Sequence, residues 1–218
     1  MKKILFILSL SLLLTACHNK SVQLPQIPAK GVTDVYNHSQ IWAFYKEKDN
    51  NVIADVNKNN IITTTHWIIN IDKRLPMSQV APVLTMIQAK RAKRTVHSVD
   101  GMHNYLNFAD VKNKTNALLE IDSLKITTLK ANELKGFQQN HKNNYIVLMP
   151  EHLTVNDMTK TYDDINDSIV NILSSEAVVL CYDESISYQR YLESKVLLHN
   201  ILPEDCALNP EEFCLTKD

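Results

Sequence analysis

Apolar and polar residues recur in the same order in three segments of this chain. Each segment has a short apolar run, a polar turn and then a stretch with helical periodicity: His66–Gln88, Asn144–Asn166 and Ala177–His199. A short apolar run is typical of a buried strand, and apolar residues at i, i+3, i+4 and i+7 indicate a helix with one buried face. We therefore predict three strand–turn–helix units in an α/β fold, with α+β as the alternative, arranged as a two-layer sheet with helices.

Each predicted helix begins at a residue that suits a helix start. Pro76 lacks the N–H donor that a first turn leaves unpaired, while the Thr154 and Ser187 hydroxyls can accept a hydrogen bond from that turn. The second helix has the most regular pattern, with an apolar stripe from Val155 to Ile172. We interpret the stripes, including their Met and Tyr residues, as packing faces.

Two pairs of short runs with strand character are each separated by a polar turn. Ile41–Lys46 and Val52–Val56 lie on either side of the first turn, and Tyr105–Val111 and Asn116–Ile121 lie on either side of the second. This spacing predicts two β-hairpins. The strands of the second and third units are predicted to pair in parallel, because a helical crossover separates them.

The chain divides at its polar stretches. We expect a signal peptide, a flexible stalk, a first α/β half, a polar connector, a second α/β half and an irregular tail. The corresponding residues are 1–16, 17–33, 34–124, 125–143, 144–202 and 203–218.

The N-terminus has the features of an export signal. Two lysines precede an apolar stretch from Ile4 to Leu14, which is too short to span a bilayer as a stable helix. Leu14-Thr15-Ala16-Cys17 resembles the lipobox of bacterial lipoproteins. That resemblance implies cleavage before Cys17, diacylation of its thiol and a membrane attachment through acyl chains such as palmitate. An ordinary secretory signal is the alternative.

The residues after Cys17 bear on sorting. His18 and Asn19 are not the aspartate associated with inner-membrane retention in enteric lipoproteins. We therefore expect an outer-membrane protein that faces the periplasm. The anchor and the Asn/Lys/Ile-rich composition also resemble those of uncharacterised Bacteroidetes lipoproteins, which implies no activity.

Composition excludes several classes of function. The formal net charge of −1 argues against a nucleic-acid partner, and 44% hydrophobic residues indicate a globular chain. Gly31, Gly101 and Gly136 are isolated, so no phosphate-binding or dinucleotide-binding loop is present in the sequence. We expect no cofactor.

Cysteines and histidines provide the candidate chemistry. Cys206 and Cys214 could form a disulfide in an oxidising compartment, while Cys181 lies in an apolar strand. A metal site is conceivable at three histidines, although their spacing matches no established metal motif; these are His66, His97 and His103. No serine or cysteine has the surroundings of a catalytic nucleophile.

Two of the repeated units resemble a known family. Asp72-Lys73 followed by Leu75-Pro76, and Asp183-Glu184 followed by Ile186-Ser187, are similar to the strand–Asp-Lys–helix segment of the ExbD/TolR periplasmic domain. The resemblance covers about 25 residues of each unit. It implies a small α/β domain and a partner among envelope proteins or peptidoglycan. It does not imply proton-driven energy transduction, because no transmembrane helix follows Cys17 in the sequence.

These observations favour a lipid-anchored envelope protein with a binding or assembly role and without catalytic activity. The alternative is a metal-dependent hydrolase that uses the histidines named above.

Overall fold

The computed structural model describes residues 20–57, 61–93, 99–140, 144–173 and 176–217. These residues form two six-stranded mixed sheets with helices packed against them, so the predicted α/β class is confirmed. Among the described helices, none is both long enough and apolar enough to cross a bilayer.

The first sheet contains the strands of the N-terminal half, together with a crossover helix: β1 (Gln26–Ile27), β2 (His38–Lys48), β3 (Asn51–Val56), β4 (His66–Ile71), α1 (Met77–Ala92), β5 (Asn104–Asp110) and β6 (Thr115–Glu120). Five of the strands follow the order β1-β5-β4-β2-β3, and β6 also pairs with β5. Both predicted hairpins are present. Asp49 and Asn50 join β2 to β3 with φ of 50° and 59°, the conformation that a two-residue hairpin turn needs.

The second sheet has the order β10-β9-β8-β11-β12-β7. Its strands and helices are β7 (Lys125–Lys130), α2 (Leu134–Asn140), β8 (Tyr145–Leu148), β9 (Leu153–Val155), β10 (Met158–Lys160), α3 (Asp167–Val170), β11 (Val179–Asp183), α4 (Tyr188–Ile201) and β12 (Glu211–Thr216). Strands β8 and β11 pair in parallel, as predicted.

The first and third predicted units form a symmetric pair. Each is a strand, a turn, a helix and a parallel strand, and the two helix starts meet in an antiparallel bridge between Pro76 and Ser187. The Met77 N–H donates to the Ile186 carbonyl at 2.9 Å, and the Tyr188 N–H donates to the Leu75 carbonyl at 2.7 Å. The residues just before each helix therefore supply carbonyl acceptors for N–H groups that the first turn of the other helix leaves unpaired.

The second predicted unit is wrong after its strand. Val155 ends β9, and Asn156 and Asp157 form a tight turn into β10 with φ of 46° and 68°. Val155 is fully buried while Met158 is 45% exposed, so the helical stripe does not exist. This segment forms a hairpin because Asn and Asp tolerate positive φ and make local hydrogen bonds that compete with helix formation. In this stretch Tyr162–Asp164 forms a single turn of 3-10 helix and Asp167–Val170 forms α3.

The predicted connector and tail are also wrong. Lys125–Lys130 is the edge strand β7, and Glu211–Thr216 is β12, which lies between β7 and β11. These two strands pair over six residues although they lie far apart in the chain. Their pairing was not visible from local patterns, because each needs the other to satisfy its backbone groups.

The predicted stalk is wrong for the part that the structure describes. Ile27 is fully buried, and Val32 pairs with Leu118 through two backbone hydrogen bonds. A Cβ on Gly31 would lie 2.6 Å from the Leu118 carbonyl oxygen, so this close approach requires glycine. Residues 20–33 are therefore part of the fold.

One hydrophobic core joins the two halves. A single cluster of buried residues includes Trp67 and Leu84 from the first half and Leu180 and Tyr191 from the second. The two halves are consequently one packed body rather than independent units.

Candidate functional site

Polar side chains form a row across one end of the first sheet. His38 on β2 pairs in register with His66 on β4. Trp67 pairs with Asn104, so the next position along places His66 beside His103. The Ile121 N–H donates to the Asn104 carbonyl, which extends the β5–β6 pairing beyond the end of β6. His103 therefore lies opposite Asp122. Four polar residues from four neighbouring chain segments therefore lie side by side.

A second carboxylate joins this row at its end. Glu120 lies opposite Tyr105, two residues from Asp122, and so points to the same face of the hairpin. His103 Nδ1 contacts an Asp122 carboxylate oxygen and lies 3.5 Å from Glu120 Oε1. One potential ligand atom from each of His103, Glu120 and Asp122 lies within 4.8 Å of the other two.

Backbone hydrogen bonds orient these side chains. The Asn104 N–H donates to Asp122 Oδ1 at 2.6 Å, which leaves Oδ2 directed at His103. The His103 N–H donates to His66 Nδ1 at 3.0 Å, so that nitrogen is an acceptor and not a metal ligand here. The two imidazole rings stack with centroids 5.4 Å apart and an interplanar angle of 4°.

Burial and neighbouring charges act on this cluster. Burial lowers the pKa of His66, and electrostatic interactions with His103 and Arg91 lower it further. Burial, followed by the charges of Glu120 and Asp122, raises the pKa of Tyr105. His66 is therefore a neutral ring at neutral pH, stacked against a histidine that faces two carboxylates.

Arg91 supports the same end of the sheet. Its guanidinium lies 3.5 Å from the centroid of the buried Trp67 ring. It donates to Asn104 Oδ1 at 3.0 Å and to the Thr65 carbonyl at 3.0 Å. The last turn of α1 thus holds the β4 and β5 ends that carry the histidines.

The structure brings together two of the three predicted metal ligands. His66 and His103 are neighbours, while His97 lies outside the described residues. Glu120 and Asp122 were missed because single acidic residues near a strand end give no sequence signal. The predicted hairpin was the one available indication. When its register is extended, Glu120 lies opposite Tyr105 and Asp122 lies opposite His103.

The cysteines have structural environments. Cys206 and Cys214 are buried, and the disulfide considered from sequence is not formed among the described residues. Burial raises the pKa of Cys214 to about 12 and that of Cys181 to about 12. Such thiols are protonated at neutral pH and are poor nucleophiles. Cys17, the predicted lipidation site, lies outside the described residues.

Asp72 and Asp183 organise the turns that follow β4 and β11. Asp72 accepts the Arg74 N–H at 3.1 Å, and Asp183 accepts the Ser185 N–H at 2.8 Å. Asp72 also binds the Arg74 guanidinium through both carboxylate oxygens and accepts the Gln23 N–H at 3.1 Å. Both aspartates therefore shape the turn between strand and helix.

Comparison with known proteins adds no relative. No protein-family model matches the chain, and neither a curated protein nor a solved structure matches it significantly.

Proposed function

We propose that the protein is a lipid-anchored component of the cell envelope with a binding or assembly role. The observation that carries this proposal is the lipobox-like Leu14-Thr15-Ala16-Cys17 behind a short apolar stretch. Acyl chains on Cys17 would attach the protein to the outer membrane, and its folded part would face the periplasm. The two ExbD/TolR-like segments support a partner among envelope proteins or peptidoglycan.

The start of the fold limits how far the domain can lie from its anchor. Only His18 and Asn19 separate Cys17 from Lys20, whose ammonium lies 2.7 Å from Asp55 Oδ2 on β3. Three residue steps span at most about 11 Å when fully extended. An acylated Cys17 would therefore hold the β2–β3 side of the first sheet close to the lipid headgroups.

That side of the sheet has suitable chemistry for a membrane surface. A shallow depression is lined in part by Lys20, Phe44, Tyr45, Lys46 and Arg74. The Lys20 ammonium lies 5.7 Å from the centroid of the Phe44 ring, and the Arg74 guanidinium lies 4.3 Å from that of Tyr45. Aromatic rings and long cationic side chains are favoured where apolar and aqueous phases meet. Lys46, which is exposed, would also attract anionic headgroups, while Lys20 and Arg74 are paired with Asp55 and Asp72.

The anchor is tested by labelling cells with radioactive palmitate. Wild-type protein should incorporate label, and Cys17→Ala should not, because only that thiol is placed to accept the diacylglyceryl group. Cys206→Ala is the matched control and should be labelled like the wild type, since its thiol is buried in the fold. Label retained by Cys17→Ala would remove the lipoprotein assignment.

The orientation is tested with a fluorescent probe. Cys181, Cys206 and Cys214 are buried, so an exposed cysteine introduced by Lys46→Cys can be labelled selectively. In vesicles that contain a headgroup-located quencher, the probe on acylated protein should lose fluorescence. The same probe on protein that also carries Cys17→Ala should not. An unquenched probe on protein that is demonstrably acylated would refute the orientation and leave the anchor intact.

A further inference from the structure

We infer that His103, Glu120 and Asp122 form a binding site for a divalent transition-metal ion of the zinc class. The site lies at the open end of the β5–β6 hairpin and is separate from the anchor and the depression beside Lys20. It uses one imidazole nitrogen and two carboxylates, with water completing the coordination.

The geometry brings the three ligand atoms within reach of one ion. They lie within 4.8 Å of one another, and donor atoms around a tetrahedral zinc ion are about 3.2–3.6 Å apart. The His103 and Glu120 side chains are 39% and 50% exposed, so both can close the remaining gap by small rotations. The hairpin register holds their backbones in place.

The charge of the site suits a divalent cation. Glu120 and Asp122 carry two negative charges, and His103 is the only basic side chain in the ligand set. His66 stacks on His103 with ring centroids 5.4 Å apart, and its Nδ1 accepts the His103 backbone N–H. A bound divalent ion would neutralise the two carboxylates, which otherwise repel each other from neighbouring positions on one face of the same chain segment.

The donor set favours zinc over magnesium or calcium. Imidazole is a preferred ligand of zinc, whereas magnesium and calcium select sites made of oxygen ligands. The Asn104 N–H fixes Asp122 through Oδ1 at 2.6 Å, the kind of outer hydrogen bond that orients a metal ligand. His38 and His66 extend the row but are not ligands in this arrangement.

Coordination fixes the tautomer of the His103 ring. Nδ1 is the nitrogen that faces both carboxylates, so we expect coordination through Nδ1 rather than Nε2. A nitrogen that binds zinc carries no proton, so the bound imidazole is the tautomer with its single proton on Nε2. The Zn–N bond replaces the Nδ1–H bond, and the proton is carried by Nε2.

Isothermal titration of purified protein with zinc chloride tests the site. We expect saturable binding of one zinc ion per chain. His103→Ala and Glu120→Gln should each weaken zinc binding about tenfold or more. Magnesium chloride at the same concentration should give no saturable binding.

Two substitutions of the same kind elsewhere on the surface provide controls. His199 and Glu151 are exposed, so His199→Ala and Glu151→Gln should leave zinc affinity unchanged. Circular dichroism establishes that all four variants are folded. Absence of zinc binding to wild type, or zinc affinity that is unchanged in both His103→Ala and Glu120→Gln, would overturn the proposal. Equal loss in the controls would also overturn it.

Discussion

A buried ion pair between α4 and β12 provides a strong test of the folding energetics. Glu212 on β12 is fully buried, and one of its carboxylate oxygens contacts the Lys195 ammonium. The other oxygen accepts a hydrogen bond from the Tyr191 hydroxyl at 2.7 Å. Lys195 is itself 9% exposed. Both charges are therefore desolvated, and each depends on the other for compensation.

Lys195→Met removes the cation and keeps a side chain of similar length. It leaves the Glu212 carboxylate buried with only the Tyr191 hydroxyl as a partner. Breaking a buried pair in this way typically costs about 3–5 kcal/mol, so we expect the free energy of unfolding to fall by that amount. Urea titration followed by tryptophan fluorescence measures it, because Trp67 is fully buried in the shared core.

The double variant Lys195→Met/Glu212→Leu separates the lost pair from the stranded charge. Replacing both members with apolar side chains should recover part of the loss, since no buried charge remains. A residual cost of about 1–3 kcal/mol is expected, because the Tyr191 hydroxyl loses its acceptor. The reasoning is refuted if Lys195→Met costs under about 1 kcal/mol, or if the double variant is no more stable than Lys195→Met.

An exposed pair one residue away is the matched control. The Lys125 ammonium lies 2.8 Å from Glu211 Oε1, with side chains that are 69% and 38% exposed. Exposed pairs are worth about 1 kcal/mol or less, so Lys125→Met should have little effect in the same titration. Raised salt should reduce even that contribution.

Two further predictions concern the turn at Asp72 and the central strand β11. Burial opposes ionisation of Asp72, but hydrogen bonds from Arg74 and Gln23 outweigh it and lower the Asp72 pKa. The stabilisation from ionised Asp72 is thus present above about pH 4 and disappears as pH falls through the lowered pKa of the folded state. The urea midpoints of wild type and Asp72→Asn should therefore converge in acid. A difference between the two midpoints that stays constant with pH would contradict this. Leu180→Ala should lower the free energy of unfolding by about 2–5 kcal/mol, because it leaves a cavity, whereas Asp163→Ala should change it by no more than about 0.5 kcal/mol. Equal effects of the two substitutions would contradict the burial of Leu180 and the exposure of Asp163.

Local sequence patterns were sufficient where an element depends on its own residues. The β4–α1 and β11–α4 pairs were predicted from an apolar run, a polar turn and a helix-start residue, Pro76 or Ser187. The same logic failed at Val155–Ile172, where apolar residues at helical spacing coincided with a strong turn at Asn156-Asp157. Side-chain periodicity cannot outweigh two consecutive residues that favour positive φ.

Elements that depend on distant partners could not be predicted. Strand β7 is polar and partly exposed, and it is a strand because β12 pairs with it over six residues. The stretch after Lys20 likewise looked like a stalk, yet it is ordered by contacts with both halves, including a Gln26 N–H that donates to Gln189 Oε1 at 2.8 Å.

The sequence by itself determined the α/β class, two of the strand–helix units, both N-terminal hairpins and the lipobox-like motif. These follow from residues that are close together in the chain, where periodicity, turn chemistry and capping act directly. Only the tertiary structure decided that the two halves share one core and that His103 faces Glu120 and Asp122. The reason is physical: strand register and cross-sheet pairing depend on the summed burial and hydrogen bonding of segments far apart in sequence.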